Sequence, residues 1–294
     1  TMSIQNGSFY TNPALLNAIN HAKKNKSAIH LFGLLSNGGV HSHIEHLGAL
    51  IELLKSENFS EVFLHLFTDG RDTMPNSGLK FISDIEQALK DQNIGRIASV
   101  SGRSWAMDRN NSWDKTQKTY ECIVGNGEIF YSDATKVLTD NYEKGITDEF
   151  IPPTFIENKN ASGEMVGMVK NNDAIIFFNF RGDRARQLTK AFTAQIFDGF
   201  SRSKNISNLY FVTMTEYEKD IASEVAFAPE RIVWPLARVL SERGFKQLHI
   251  AETEKYAHVT YFFNGLKTEA YPGEIDVFIK SDSNYGLHPE MKCS

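Results

Sequence analysis

The sequence predicts an α/β fold in which a mainly parallel sheet is flanked by helices. Short apolar runs alternate along the chain with longer stretches whose apolar residues recur at helical spacing. The runs contain few polar residues, which is typical of parallel strands covered on both faces. Strands and helices that alternate in this way form βαβ units. The composition, 41% hydrophobic and 23% charged residues in a chain of 294, is ordinary for a globular protein.

The first part of the chain contains strands that are each followed by a helix. The segment AIHLFGLLS is almost continuously apolar, and Ile44, Leu47 and Ile51 share one face of the helix that follows it. Ser77 is the predicted N-cap of the next helix. The predicted strands are 28–36, 61–68 and 96–101, and the predicted helices are 42–59, 77–93 and 112–123.

The middle of the chain is less regular, and the alternation then resumes. Residues 134–170 show no clear period, and Pro152 with Pro153 indicates a loop. Within a later helix pattern, Pro235 predicts that the regular helix begins near this residue, because proline is tolerated only in a first turn. The later predictions are strands at 174–180, 208–215 and 247–254 and a helix at 231–245.

Charge and composition argue against several classes of function. The net charge of −5 disfavours a partner such as nucleic acid or an anionic membrane, because both require a basic surface. Cys122 and Cys293 form no disulfide framework, which indicates a reducing compartment. No apolar run is long enough to cross a bilayer, and residues 1–13 show no signal-peptide pattern, so we expect a cytoplasmic protein. Neither a dinucleotide fingerprint nor a P-loop is present.

Polar motifs follow the predicted strands at the point where each strand ends. In an open parallel sheet, the carboxyl ends of the strands meet at one edge, and ligands bind there. Motifs that are far apart in sequence can therefore line one crevice. They are SNGGVHSH at 36–43, DGRDT at 69–73, SGRSWAMDR at 101–109 and NFRGDR at 179–184.

This crevice would gather several arginines. Two like charges about 6 Å apart repel by about 3 kcal/mol at an effective dielectric constant of 20, so such a group requires anions. Arg181 and Arg184 are three residues apart and share a face, whereas Arg186 points elsewhere. The guanidinium fork fits carboxylate or phosphate with two hydrogen bonds. The arginines are Arg71, Arg103, Arg109, Arg181 and Arg184.

Two simpler interpretations remain open at this point. Each arginine could form a structural salt bridge with a neighbouring aspartate of the set Asp69, Asp72, Asp108 and Asp183. Their repeated occurrence at strand ends nevertheless favours a polyanionic small molecule. The segment HSHIEH could hold a metal, but no nearby aspartate or cysteine completes a recognisable set. We therefore interpret His41 as a ligand contact, and His43 and His46 as structural.

The motifs resemble those of cofactor-independent (2,3-bisphosphoglycerate-independent) phosphoglycerate mutases over almost the whole chain. The matching stretches are GLLSNGGVHSH, FTDGRDTMPNSG, SVSGRSWAMDRNNSWDK, IFFNFRGDRARQLTKAF and AETEKYAHVTYFFNG. This family interconverts 3-phosphoglycerate and 2-phosphoglycerate in glycolysis and gluconeogenesis through a phosphoserine intermediate. The resemblance implies a substrate (glycerate)-binding lobe at 4–228 and part of an alkaline-phosphatase-like α/β lobe at 229–294.

The resemblance also implies a set of site residues. Asp72 is expected to orient or deprotonate the attacking hydroxyl, and Lys255 to neutralise charge on the transferring phosphoryl group. These two residues are the expected catalytic residues. The full substrate-binding set is His41, Arg71, Asp72, Arg103, Arg109, Arg181, Arg184 and Lys255.

Other parts of the family's chemistry have no counterpart in this sequence. The family usually binds two Mn²⁺ ions and uses a serine nucleophile, but the patterns NSEVGH and DHGN are absent, so we expect no metal ligand here. The isolated chain is therefore expected to be inactive. The family is usually monomeric, and a complementary phosphatase-lobe fragment is a possible partner. The alternative is a non-catalytic module that binds anionic metabolites or docks onto a partner.

Overall fold

The computed structural model describes residues 1–229 and 232–281, and its first compact unit, Thr1–Ala228, is built around an eight-stranded sheet. The strands of this unit are β1 Ile29–Leu35, β2 Val62–Thr68, β3 Arg96–Gly102, β4 Phe130–Tyr131, β5 Thr154–Ile156, β6 Asn158–Lys159, β7 Met165–Val166, β8 Ala174–Phe177, β9 Tyr210–Thr213 and β10 Glu224–Val225. The order in the main sheet is β10-β9-β8-β1-β2-β3-β5-β4, and β6 pairs with β7 separately. Neighbouring strands of the main sheet are parallel except β3 and β5. The predicted α/β fold is confirmed.

Helices precede the first strand and connect several of the later ones. They are α1 Met2–Gln5, α2 Pro13–Asn25, α3 Ile44–Ser56, α4 Gly78–Gln92, α5 Arg103–Ala106, α6 Trp113–Ile123, α7 Ala134–Glu143 and α8 Arg186–Thr193. Short 3₁₀ turns occur at Ser8–Thr11, Asp148–Phe150 and Gly182–Arg184. None of the helices in the described ranges is long and apolar enough to cross a membrane.

The central strands of the sheet are buried on both faces, as their apolar sequences predict. Every residue of β1 and β2 is buried. Along β1, Ile29 and Leu31 belong to one hydrophobic cluster, whereas Phe32 and Leu34 belong to a second cluster. Because successive side chains of a strand point to opposite faces, helices must cover both sides of the sheet.

Gly33 allows an aromatic ring to pack directly against β1. A Cβ atom at this position would lie 2.5 Å from Cε2 of Phe178, which is fully buried. Gly33→Ala is therefore expected to lower the free energy of unfolding by about 1–3 kcal/mol through overpacking. Urea unfolding measures the change, and Gly48→Ala is the control because a Cβ there meets no atom within 4 Å. An unchanged unfolding midpoint for Gly33→Ala would contradict this packing.

The structure corrects some predicted boundaries. Ser77 lies next to α4, but its backbone is already helical and its hydroxyl donates to the carbonyl of Met74. A carboxylate oxygen of Asp148 instead accepts the N–H of Gly78 at 2.8 Å. The strand predicted to extend to residue 180 ends at Phe177, because the side chain of Asn179 accepts the N–H of Leu34 there.

Helix α7 lies inside the segment for which the sequence showed no period. Its apolar contribution to the core is small, since Val137 and Leu138 are its main buried apolar residues. Asp133 caps it, and its Oδ1 accepts the N–H of Lys136 at 2.8 Å. An aspartate at the N-cap position, directly before the helix, is the sequence signal that could have located α7.

The second compact unit begins at Pro229. It contains the parallel strands β11 Gln247–Glu252 and β12 Glu274–Ile279, with helices α9 Leu236–Glu242 and α10 Thr253–Ala257 and a π-helical turn at His258–Phe262. As predicted, Pro235 directly precedes the regular helix. Of the two cysteines, Cys293 lies outside the described residues. Cys122, in the first unit, is a buried free thiol, and its burial raises the pKa of the thiol to about 12.

Candidate anion-binding site

The polar motifs of the first unit lie at the carboxyl ends of neighbouring parallel strands. Asp69 follows β2, Arg103 follows β3, and Arg181 lies just beyond β8. The loop after β1 approaches the loop after β2 closely: a Cβ atom on Gly38 would lie only 2.7 Å from the carbonyl oxygen of Asp72. Glycine therefore allows these loops to meet at the sheet edge.

A buried arginine links two carboxylates at the centre of the site. Nη1 of Arg103 lies 2.6 Å from Oδ1 of Asp69 and 2.6 Å from Oδ2 of Asp72. Only 2% of Arg103 is exposed. Asp69 also accepts the backbone N–H of Arg71 at 3.2 Å and that of Asp72 at 3.0 Å. Asp69 and Arg103 therefore fix the position of the Asp72 carboxylate.

Hydrogen bonds keep this central cluster charged despite its burial. Burial raises the pKa of Asp69, but hydrogen bonds from Ser36, the Asp72 backbone and Arg103 outweigh it, so the pKa lies below its usual value. Burial lowers the pKa of Arg103, and its bonds to Asp72 and Asp69 more than compensate, so its pKa is raised. Both groups are ionised at neutral pH.

A second cluster forms around Asp183. Nη1 of Arg109 lies 3.4 Å from its Oδ2, and Nε of Arg181 lies 3.2 Å from its Oδ1. Nδ1 of His41 lies 3.5 Å from the same Oδ1, without the geometry of a hydrogen bond. The side chains of Arg109 and Arg181 are about half exposed, 49% and 51%. They retain donors that can face a ligand.

His41 is neutral at physiological pH. Burial and, to a smaller extent, the Arg103 guanidinium lower its pKa to about 4, and the Asp183 carboxylate opposes the change. A neutral imidazole can accept a hydrogen bond on one nitrogen and donate on the other. His41 can therefore contact either a hydroxyl or a phosphate oxygen of a ligand.

The protonation of His41 makes stability depend on pH. In the unfolded chain a histidine binds a proton near its usual pKa of 6.5, whereas folded His41 does so near 4. The unfolded state binds more protons between these values, so the free energy of unfolding falls as the pH falls from 6.5 to 4. Urea unfolding of the wild type and of His41→Gln at pH 7 and pH 5 measures this, and the variant should lose less stability. Equal losses in the two proteins, or an NMR titration of His41 near 6.5, would refute the assignment.

Among the arginines of this site, Arg184 is the one whose positive charge is least neutralised by carboxylates. It is half-buried, and its Nη1 donates to the carbonyl of Met107 at 3.3 Å. No carboxylate of the described chain lies within 4 Å of it. Burial lowers its pKa, the Arg109 and Arg103 guanidiniums lower it further, and Asp183 only partly opposes them. An anion beside Arg184 would relieve this repulsion.

The remaining predicted residues differ in their placement. Arg71 is largely exposed, with its Nη1 3.4 Å from Oε1 of Glu149. It is close enough to Arg184 to lower the pKa of that residue. Lys255 is exposed on α10 of the second unit. All other predicted site residues lie in the first unit and interact as described.

Asp108 and His43 test the simpler interpretations, in which the aspartates form structural salt bridges with arginines and His43 has a structural role. Asp108 forms no ion pair with an arginine among the described residues, because its Oδ2 accepts the N–H groups of Asn110 and Ser112 and the amide of Gln187. It shapes the loop before α6. His43 accepts the N–H of Glu45 at the start of α3, as expected for a structural role. Sequence reasoning weighed Asp183 only as a salt-bridge partner and gave no sign that it would contact three site residues.

The arginine site offers no set of metal ligands within the part of the chain that the structure describes. The one group of three His, Asp or Glu side chains close enough to share an ion there is His249, Glu274 and Asp276, all in the second unit. The Mn²⁺ ions that the resemblance implies therefore have no donor set beside the arginines. We assign no chemical step to a metal at this site.

Comparisons with known proteins agree on one family. The family model described as BPG-independent PGAM N-terminus matches residues 1–219. The 2,3-bisphosphoglycerate-independent phosphoglycerate mutase of Listeria innocua is 47% identical over 294 residues, which is 99% of this chain and 57% of that protein. The protein of the same name from Clostridium novyi is 48% identical over 297 residues, 100% of this chain and 57% of its own length. The chain therefore spans a little over half the length of these relatives.

A solved structure shares the fold. The crystal structure of Leishmania mexicana phosphoglycerate mutase at low cobalt concentration matches with a TM-score of 0.76 and 27% sequence identity. The match covers 98% of this chain and 54% of that one.

Proposed function

Because the chain belongs to the family of 2,3-bisphosphoglycerate-independent phosphoglycerate mutases, we propose that its first unit is the substrate-binding part of such an enzyme. The substrates are 3-phosphoglycerate and 2-phosphoglycerate, interconverted in glycolysis and gluconeogenesis in the cytoplasm. The observation that supports this most strongly is Arg184, a half-buried guanidinium beside other guanidiniums. A ligand that carries both a carboxylate and a phosphate suits this arrangement.

The arginines would retain glycerate while its phosphoryl group is on the enzyme. Arg184, Arg181 and Arg109 would bind the carboxylate through charge-assisted hydrogen bonds, each contributing about 1.5–3 kcal/mol. Bonds of this strength from several directions hold the intermediate in place and limit its rotation. Arg71 is exposed, and we propose that it closes on the ligand from the solvent side.

Asp72 is the proposed base for the attacking hydroxyl. Arg103 binds its Oδ2 at 2.6 Å, which leaves Oδ1 to accept a proton from glycerate. His41, which is neutral, would hydrogen-bond a hydroxyl or a phosphate oxygen. Lys255 would neutralise the phosphoryl group in the complete enzyme. The nucleophile and the Mn²⁺ ligands would come from sequence that this chain does not contain, and a complementary phosphatase-lobe fragment is one possible source.

Calorimetric titration of the chain with 3-phosphoglycerate tests the proposal. We expect saturable one-to-one binding to the wild type and at least about tenfold weaker binding to Arg184→Ala. The matched control is Arg186→Ala, which removes the same charge two residues away. Arg186 donates a hydrogen bond to the carbonyl of Tyr217. Absence of binding to the wild type, or equal losses in both variants, would refute the proposal.

A second titration addresses the alternative that this chain is a general module for anionic metabolites. Glycerate and inorganic phosphate should each bind more weakly than 3-phosphoglycerate, since each occupies only part of the site. A dicarboxylate that binds as tightly as 3-phosphoglycerate would favour the non-catalytic module.

A further inference from the structure

The second unit contains a compact group of metal-ligand side chains that the proposed function does not use. His249 on β11 and Asp276 on β12 are paired in the register of the two parallel strands. Nδ1 of His249 lies 3.2 Å from Oε1 of Glu274 and 3.4 Å from Oδ1 of Asp276. The three donor atoms all lie within 4.8 Å of one another.

The group lies on the protected face of the β11–β12 pair. Residues 247 and 249 are buried, whereas 248 and 250 are exposed, so His249 points to the inner face. His249 is only 8% exposed, and the side chain of Glu274 is 0% exposed. The exposed fraction of the Asp276 side chain is 22%, which leaves a path from solvent for a small ion.

Two atoms of this group lack the hydrogen bonds that burial normally demands. Nδ1 of His249 and Oδ1 of Asp276 are buried and have no hydrogen-bond partner among the described residues, although they face each other. Buried polar atoms are almost always satisfied. The simpler interpretation, an ion pair of protonated His249, leaves these atoms without a hydrogen bond.

The donors also require a positive charge between them. Two carboxylates held this close repel unless a proton or a cation lies between them. Ligands at 2.0–2.2 Å from a tetrahedral ion are about 3.3–3.6 Å apart, which agrees with the two distances from His249.

Neighbouring groups already orient Glu274. Nδ2 of Asn264 donates to Oε1 at 2.6 Å, and the N–H of Tyr271 donates to Oε2 at 2.7 Å. Asn264 is itself 98% buried, with an exposed fraction of 2%. Outer contacts of this kind hold a ligating carboxylate in position before the ion arrives.

We propose that His249, Glu274 and Asp276 bind a divalent transition-metal ion of the zinc class, through Nδ1 and one oxygen of each carboxylate. One imidazole with two carboxylates suits Zn²⁺ and leaves a fourth position for water. The ion would join β11 to β12 and to the loop that contains Asn264. Its role would therefore be to stabilise the second unit.

Titration with Zn²⁺ alone tests the proposal on the full chain freed of metal by a chelator. At free Zn²⁺ about a hundredfold above Kd, the Tm of the wild type should rise by about 5 °C or more. His249→Gln should lose this shift, and Asn264→Ala should bind Zn²⁺ about 10–100-fold more weakly. His258→Gln is the control, since His258 is exposed and outside the group, and it should retain the shift.

Cobalt absorption provides a readout that does not depend on stability. One equivalent of Co²⁺ should give visible bands of four-coordinate cobalt in the wild type and in His258→Gln, but not in Asp276→Asn. The proposal is wrong if the wild type shows neither a Zn²⁺-dependent Tm shift nor these bands. It is also wrong if His249→Gln and Asp276→Asn, folded by circular dichroism, keep them.

Discussion

Replacing Arg103 with methionine is expected to lower the free energy of unfolding of the first unit by about 3–5 kcal/mol. Arg103 is 2% exposed and contacts both Asp69 and Asp72 at 2.6 Å. Methionine fills much of the same volume but leaves two carboxylates at the sheet edge without their cation. Removing one partner of a buried ion pair is costly, because the remaining charge is not solvated.

Urea unfolding of the wild type and the variant measures this loss. Arg71→Met is the control: it removes the same charge from the same site at a largely exposed position, and should change stability by less than about 0.5 kcal/mol. Adding Asp72→Asn to Arg103→Met should recover part of the loss, because one uncompensated carboxylate is then neutral. If Arg103→Met costs no more than Arg71→Met, Arg103 does not hold the centre of the site.

Replacing Arg184 with alanine is expected to reduce turnover on the order of 10²-fold or more in a complete enzyme that contains this sequence. The guanidinium is already oriented by the Met107 carbonyl at 3.3 Å and is surrounded by other guanidiniums. In the proposed function it would therefore stabilise the charge of a bound phosphoglycerate without reorganising. Lysine should restore only part of the activity, because a single ammonium cannot form the two-point contact.

An enolase-coupled assay with 3-phosphoglycerate measures this effect. Arg186→Ala is again the control and should retain most of the wild-type turnover, since its Nε bonds the carbonyl of Tyr217. Near-normal turnover in Arg184→Ala would show that this arginine is not part of the substrate site.

The alternation of strands and helices in the sequence was sufficient to predict that the polar motifs lie at one edge of the sheet. Parallel strands have their carboxyl ends at one edge, so the sequence alone assigns Asp69, Arg103 and Arg181 to the same edge. Composition alone did not identify the ligand. The proposal that phosphoglycerate is the ligand depends on the resemblance to phosphoglycerate mutases.

Other features depend on contacts between distant residues and could not be predicted. Asp148 caps α4 from a position 70 residues later in the chain. The residues around α4 contain no signal that a distant aspartate, and not the adjacent Ser77, forms this cap. Asp183 contacts His41, Arg109 and Arg181 only because three loops converge on it. The proposed metal site likewise requires the register that pairs His249 with Asp276.

The most direct test of the central claim is an enolase-coupled mutase assay on this chain alone, with 3-phosphoglycerate and with or without added Mn²⁺. We propose that the chain contains the residues that bind the substrate but not the nucleophile and metal ligands that transfer its phosphoryl group. The expected result is therefore no formation of 2-phosphoglycerate under either condition, in a preparation that binds 3-phosphoglycerate by calorimetry. Turnover that depends on Mn²⁺ would show that the chain holds its own nucleophile and metal site, and would contradict this account.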